Sequence, residues 1–257
     1  MAFNILPWQG AKVLQTLPGF LRNKFLLMLM LPIGVIGQSL PATNGKGDVV
    51  KVRHTGDFTL TGDGSATNWN ASEWLVLPQR NTAGVHYQTK IKILYADSGI
   101  YCLYDCEDKK ITATLQGDFL DLYNEDVAEA FFWTDETVPV YFEYELSPLN
   151  YELPILVPNN KGTFFGWRPW HYEGNRRTAH RTHITKKDDA VTGWTAEFYI
   201  PYALLKPMTN IPPQKGTRWR ANFYRIDYDN GTADWQWQKV HNDSFHDYQR
   251  FGTLEFD

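Results

Sequence analysis

Sulfur is scarce in this chain: two cysteines and four methionines in 257 residues. The cysteines, Cys102 and Cys106, lie four positions apart in Ile100-Tyr-Cys-Leu-Tyr-Asp-Cys106, which reads as a strand. At about 3.3 Å per residue they stand roughly 13 Å apart, whereas a disulfide needs Cα atoms within about 7 Å. Both are expected as reduced, buried thiols that pack as small hydrophobes. With no further ligands nearby, a cysteine metal site is excluded. Only Met208 lies beyond the first 37 residues, in the Pro-rich stretch Lys206–Pro213, which argues against a haem held between Met and His. An excess of base is missing too. Lys and Arg number 25 against 29 Asp and Glu, for a net charge of −4. With no basic stripe, no nucleic-acid partner is expected. Helical periodicity is also absent: no run sustains it over twelve residues, although Pro201–Lys206 reads as a short helical turn.

The one long apolar run is Phe25-Leu-Leu-Met-Leu-Met-Leu-Pro-Ile-Gly-Val-Ile-Gly37, preceded by Arg22 and Lys24. It suits the core of a signal peptide and is too short to span a bilayer. Val35 and Gly37 sit at the −3 and −1 positions for a cut before Gln38. No Cys follows, so a bacterial lipid anchor is not indicated. Residues 1–37 are read as a signal peptide, 38–55 as a polar linker, and 56–257 as a single domain that is secreted or periplasmic, without a membrane span.

Aromatics are abundant: Phe, Trp and Tyr make up 15% of the chain, with ten Trp and fourteen Tyr. Part of this must fill a core. The rest suits a surface that grips a ligand, since Tyr and Trp are amphipathic. Strand-like runs recur at short spacing: Gln88–Tyr95, Ile100–Cys106, Val127–Trp133, Val140–Leu146, Trp194–Ile200 and Arg218–Tyr228. Asp97-Ser-Gly99 reads as a hairpin turn. The pattern predicts an all-β fold, an antiparallel β-sandwich or jelly roll.

Side chains alternate across a strand, so each run sorts into two faces. Ala128, Ala130 and Phe132 suit a core, and Glu129 shares the other face with Phe131 and Trp133. Val140, Phe142, Tyr144 and Leu146 oppose Tyr141, Glu143 and Glu145. Trp194, Ala196, Phe198 and Ile200 oppose Thr195, Glu197 and Tyr199. Trp219, Ala221 and Phe223 oppose Arg220, Asn222 and Tyr224. The outer faces thus carry acid, amide or guanidinium beside an aromatic. Rings stack on the apolar faces of pyranoses and acids accept from hydroxyls, so the mixture suits a sugar-binding surface.

Five motifs occur in order. Gly62-Asp-Gly64 is followed by Trp69 and Trp74. Ile100-Tyr-Cys-Leu-Tyr-Asp-Cys-Glu-Asp108 comes next, then Leu122–Phe131, then Gly193-Trp-Thr-Ala-Glu-Phe-Tyr-Ile-Pro201. Ser244-Phe-His-Asp-Tyr-Gln-Arg-Phe-Gly-Thr-Leu254 closes the chain. Together they resemble the family 9 carbohydrate-binding modules and their wider DOMON-like, immunoglobulin-like sandwich relatives, over nearly the whole predicted domain. The resemblance implies a non-catalytic protein that holds a sugar chain end between two rings, with polar side chains from the sheet reading hydroxyls. By position, Tyr123 and Phe245 fall where the two rings sit. Glu129 matches a sugar-contacting acid and Asn242 a contacting amide. Tyr and Phe offer less stacking area than the paired Trp of other members, and Glu143 stands where some members have Arg. Glu143 and Trp237 complete the candidate ligand-binding set. The implied partners are a plant-type glycan such as xylan or cellulose and the secreted glycoside hydrolases that degrade it. No cofactor is expected beyond a structural calcium ion, for which Asp63 is the candidate ligand, although no calcium-loop motif is complete.

Alternatives stay open. A glycoside hydrolase needs two carboxyls about 5–9.5 Å apart; Glu125 and Glu129 along one strand are too distant, but Glu129 with Glu143 or Glu145 on a neighbouring strand could meet the requirement. An exported structural domain with a degenerate cleft is the other reading. Trp235 and Trp237 could line a cleft or close the sandwich. Phe164-Phe-Gly-Trp-Arg-Pro-Trp170 forms an aromatic loop or a packed lid. His171, His180 and His183 beside Arg176, Arg177 and Arg181 follow no zinc spacing and read as a solvated loop.

Overall fold

The computed structural model describes residues 47–241 and 244–257; the signal segment and Asn242 lie outside them. The strands are β1 (Val49–His54), β2 (Leu75–Leu77), β3 (Gln79–Asn81), β4 (Thr89–Tyr95), β5 (Gly99–Glu107), β6 (Val127–Trp133), β7 (Val140–Leu146) and β8 (Glu152–Asn160). They continue as β9 (Thr163–Phe164), β10 (Arg168–Pro169), β11 (Ala179–Lys187), β12 (Ala190–Pro201), β13 (Arg218–Asp227), β14 (Ala233–Gln236) and β15 (Gly252–Phe256). One short helix, α1 (Tyr202–Leu205), occupies the predicted helical turn.

One sheet runs β10-β8-β7-β6-β13-β15-β1, with β14 beside β13; the other runs β1-β4-β5-β12-β11. β1 belongs to both, lying parallel to β15 through Val49–Val52 and parallel to β4 through Arg53 and His54. The stretch read as linker therefore contains the strand that joins the two sheets. The core between the sheets takes the inward alternates of both: Ala130, Phe132, Phe142 and Tyr144 from the first, Tyr104, Trp194, Phe198 and Ile200 from the second. This is the expected β-sandwich. Cys102 and Cys106 are free and buried in that core, where burial pushes the Cys106 thiol up to about 12.

Part of the outer face of the second sheet is covered by the chain that precedes β2. Glu197, fully buried, accepts from the Trp69 indole Nε1 at 2.7 Å, from the Gly62 N–H and from Thr61 Oγ1 at 3.3 Å. The first and fourth sequence motifs thus meet at one carboxylate, which ties a loop to a sheet and has no vacancy for a ligand. Glu197→Ala is expected to lower stability by about 3 kcal/mol, the range for buried donors left without an acceptor. A urea midpoint like that of the native protein would refute this role.

The outer face of the first sheet has a second apolar layer, in which Phe131, Tyr141, Tyr224 and Phe251 pack together. Strand alternation and this layer together shape the site.

Candidate functional site

The cross-strand register places three carboxyls side by side. Glu129 on β6 pairs with Glu145 on β7, and its neighbour Phe131 pairs with Glu143. On the other flank Glu129 pairs with Tyr224 of β13, which in turn pairs with Gln236 of β14. All of these point away from the inter-sheet core, and Glu129, Phe131, Glu143, Glu145 and Gln236 line the floor of an open cleft of about 770 Å³. Tyr123 and Trp167 stand on one side, ring centroids 6.3 Å apart and edge to face. Phe245 and His246 stand on another. Phe245 stacks on Tyr224 at 4.2 Å and 7°, and its carbonyl accepts from the Tyr224 hydroxyl, which braces the ring. His246 stacks on Phe164 at 4.0 Å, and its Nδ1 lies 2.6 Å from the Tyr141 hydroxyl. Arg80 and Lys239 also line the cleft.

The electrostatics of the floor follow from burial. Glu129, Glu143 and Glu145 are 2%, 4% and 1% exposed. Desolvation raises Glu129 to about 8. It raises Glu143 and Glu145 well above the usual carboxylate range, with the charge on Glu129 adding to both. Glu143 Oε2 and Glu145 Oε2 have no hydrogen-bond partner among the described residues. Burial holds His246 down at about 4, so it is neutral 3.7 Å from Glu143. Near neutral pH the floor therefore carries protonated carboxyls, and a carboxylic acid both donates and accepts.

The structure brings Tyr123, Glu129, Glu143 and Phe245 into this one cleft. Trp237 is elsewhere: 4% exposed, it stacks on Phe223 within the inter-sheet core, and Trp235 is buried there too. Both rings close the sandwich because their strand presents the opposite face to the cleft, the face that carries Gln236. Asp63 lies in a tight turn, where Ser65 and Thr61 hold its carboxyl down at about 2. Among the described residues the three acids close enough to share an ion are Asp108, Asp227 and Asp229, without Asp63. The Arg225 guanidinium bonds Asp108 at 2.9 Å and Asp227 at 2.6 Å, so that group already has its cation and does not suit a metal. His180 and His183 are not on a loop but on β11, where His183 shares the face of Arg181 and His180 lies on the other. The sequence reading did not single out Trp167, Glu145 or His246 as ligand-binding. Alternation had placed Glu145 beside Glu143; Trp167 and His246 arrive on loops that no periodicity describes.

An all-β sandwich with an acidic, aromatic-walled cleft on one outer face thus defines the class. Residues 61–257 match the carbohydrate family 9 binding domain-like family, and the chain belongs to it. A protein of Arthroderma benhamiae named "Extracellular protein" is 26% identical over 178 residues, covering 66% of this chain and 78% of that protein. Among solved structures, a candidate carbohydrate-binding protein from Bacteroides uniformis superposes with a TM-score of 0.68 at 16% identity, over 82% of this chain and all of the other. A family 9 carbohydrate-binding module from Caldicellulosiruptor kristjanssonii, solved with cellotriose, gives 0.59 at 16% identity over 82% of this chain and 94% of its own.

Proposed function

We propose that this chain is an exported, non-catalytic protein that binds a plant-type oligo- or polysaccharide, with the chain end as the preferred element, in support of polysaccharide breakdown. The observation that carries this reading is the cleft: buried acids on the floor, Tyr123, Trp167 and Phe245 around it, and open access from solvent. Rings cover the apolar face of a pyranose, and the carboxyls exchange hydrogen bonds with its hydroxyls. Family membership supports it, as do the glucose and cellotriose bound by the Caldicellulosiruptor module. The name of the fungal relative and the signal-like segment at residues 1–37 support export.

Calorimetric titration with cello-, xylo-, manno- and laminari-oligosaccharides, with free and with reduced ends, tests the reading. Phe245→Ala is expected to weaken binding about tenfold, since an aromatic contact contributes about 0.5–1.5 kcal/mol beyond its buried area. Loss of binding on end reduction would identify chain-end recognition. Release of shorter sugars would instead make the protein a glycoside hydrolase, and silence towards every sugar would leave a structural domain.

A further inference from the structure

The Arg- and His-bearing segment around residues 171–183 has no part in the cleft. It borders a separate groove of about 800 Å³ that shares no lining residue with the cleft. On one side of the groove Tyr101 of β5 and Tyr199 of β12 lie on the outer face of the second sheet, centroids 4.7 Å apart, and Phe58 stacks on Tyr101 at 4.4 Å. On the other side Phe119 stacks on His171 at 4.2 Å and 18°. Phe119 holds this position with φ at +64°, the left-handed region that a bulky side chain rarely adopts. Strained residues of this kind cluster at ligand clamps.

The charges in the groove are unevenly satisfied. Asp57 accepts from Ser98 and Tyr101, and Asp118 accepts from the Glu152 N–H. His180 lies 3.0 Å from Asn150 Oδ1 and 3.6 Å from the buried Glu152 carboxylate. Arg177 and Arg181 are exposed, and neither has a carboxylate within 4.0 Å among the described residues. Arg177 lies over the ring of Tyr172. Two guanidinium groups without a carboxylate partner among the described residues thus line a groove that aromatic rings also line. A guanidinium fork matches a carboxylate or sulfate bidentately, and rings at the same place suit a pyranose.

We propose that this groove is a second glycan site that takes an anionic sugar, its carboxylate or sulfate ester held by Arg177 and Arg181 and its ring covered by the partly exposed rings of Tyr199 and Phe119. The proposal stands apart from the reading of the cleft. The test is calorimetric titration of the protein with short oligogalacturonate, with a sulfated galactan oligosaccharide and with cellotriose. Three double or single variants are compared: Arg177→Gln with Arg181→Gln, Lys186→Gln with Lys187→Gln at the far end of β11, and Phe245→Ala in the cleft. The expected result is binding of an anionic oligosaccharide that weakens about tenfold or more in the arginine variant and is unchanged in the other two. Which of the two anionic probes shows this behaviour identifies carboxylate or sulfate as the recognised group. Absence of binding to both probes, or equal weakening in the arginine and lysine variants, would overturn the proposal and leave the arginines as solvated charges on and beside an edge strand.

Discussion

Arg225→Ala is expected to cost about 3–5 kcal/mol at neutral pH, the range for removing one partner of a buried ion pair. That is a large share of the roughly 5–15 kcal/mol that holds a domain folded. Arg225 is fully buried on the core side of β13. Its guanidinium bonds Asp108 and Asp227, donates to the Glu107 carbonyl at 2.6 Å and to Thr89 at 3.2 Å, and lies over the Trp235 ring. Without it two buried carboxylates lose their cation. Burial already raises Asp108 to about 7 with the arginine in place, and the variant will hold that proton more tightly. The unfolded chain releases it near pH 4. Between those limits the folded variant binds more protons than the unfolded one, so its stability falls as pH rises. The native protein shares that decline up to about pH 7, and only the variant continues it above, so the deficit should be larger at pH 8 than at pH 5. Urea melts of the variant at both pH values test this; a small deficit, or one independent of pH, would mean that the triad does not hold its strands together. Adding Asp108→Asn and Asp227→Asn to Arg225→Met should restore most of the loss, because an apolar and amide replacement leaves no charge in need of a partner.

Strand alternation made the centre of the first sheet legible to the residue. β6 and β7 occupy the predicted Val127–Trp133 and Val140–Leu146, because each carries an unbroken apolar face against polar or aromatic alternates. Of the strands that the pattern missed, two have a clear physical reason. β8 contains Pro154 and Pro158, which lack the ladder N–H and argue against a strand. They are tolerated because only the two-residue strands β9 and β10 flank β8 on that side. β11 is the edge of the second sheet and largely exposed, so its sequence resembles a loop. Alternation also assigned faces but not their cover. Glu197 was grouped with the ligand-facing acids, yet a loop from residues far earlier in the chain closes over it. Trp237 had even prospects by pattern and is settled by packing, since its ring approaches the backbone of Gly252 so closely that a side chain there would collide with it. The cleft floor follows from register between neighbours in sequence. The walls depend on loops brought in from residues 123, 167 and 245, and such distances are not written in a local pattern.

Replacing Glu143 and Glu145 together by Gln is expected to stabilise the protein at alkaline pH and to flatten its stability profile. Each buried carboxyl of the floor has a folded-state value raised above its ordinary 4.5, to about 8 for Glu129 and well above the ordinary value for the other two. Between the unfolded and folded values the native state keeps protons that the unfolded chain has lost. Stability is then fully present below about pH 4.5 and is lost as pH rises through the raised values. The slope is about 1.4 kcal/mol per pH unit for each carboxyl so linked. His246 works in the opposite sense. Its value is lowered from 6.5 to about 4, so its contribution is lost as pH falls through that interval, and the glutamates are observed cleanly only above about pH 6.5. Asp126, raised by burial to about 7, adds to the decline, which is why the difference between native and variant proteins isolates the floor. Glutamine keeps the shape and the hydrogen-bonding amide but has no proton to lose, so the variant should melt at a higher urea concentration than the native protein at pH 8.5, and the two should converge towards pH 6.5. Parallel profiles would show that the carboxyls are ionised in the folded state. The same variant separates charge from shape in ligand binding: affinity of the native cleft for a neutral sugar should decline as the floor ionises, whereas that of the variant should hold, because an uncharged floor can donate to sugar oxygens at any pH in the range and a carboxylate cannot.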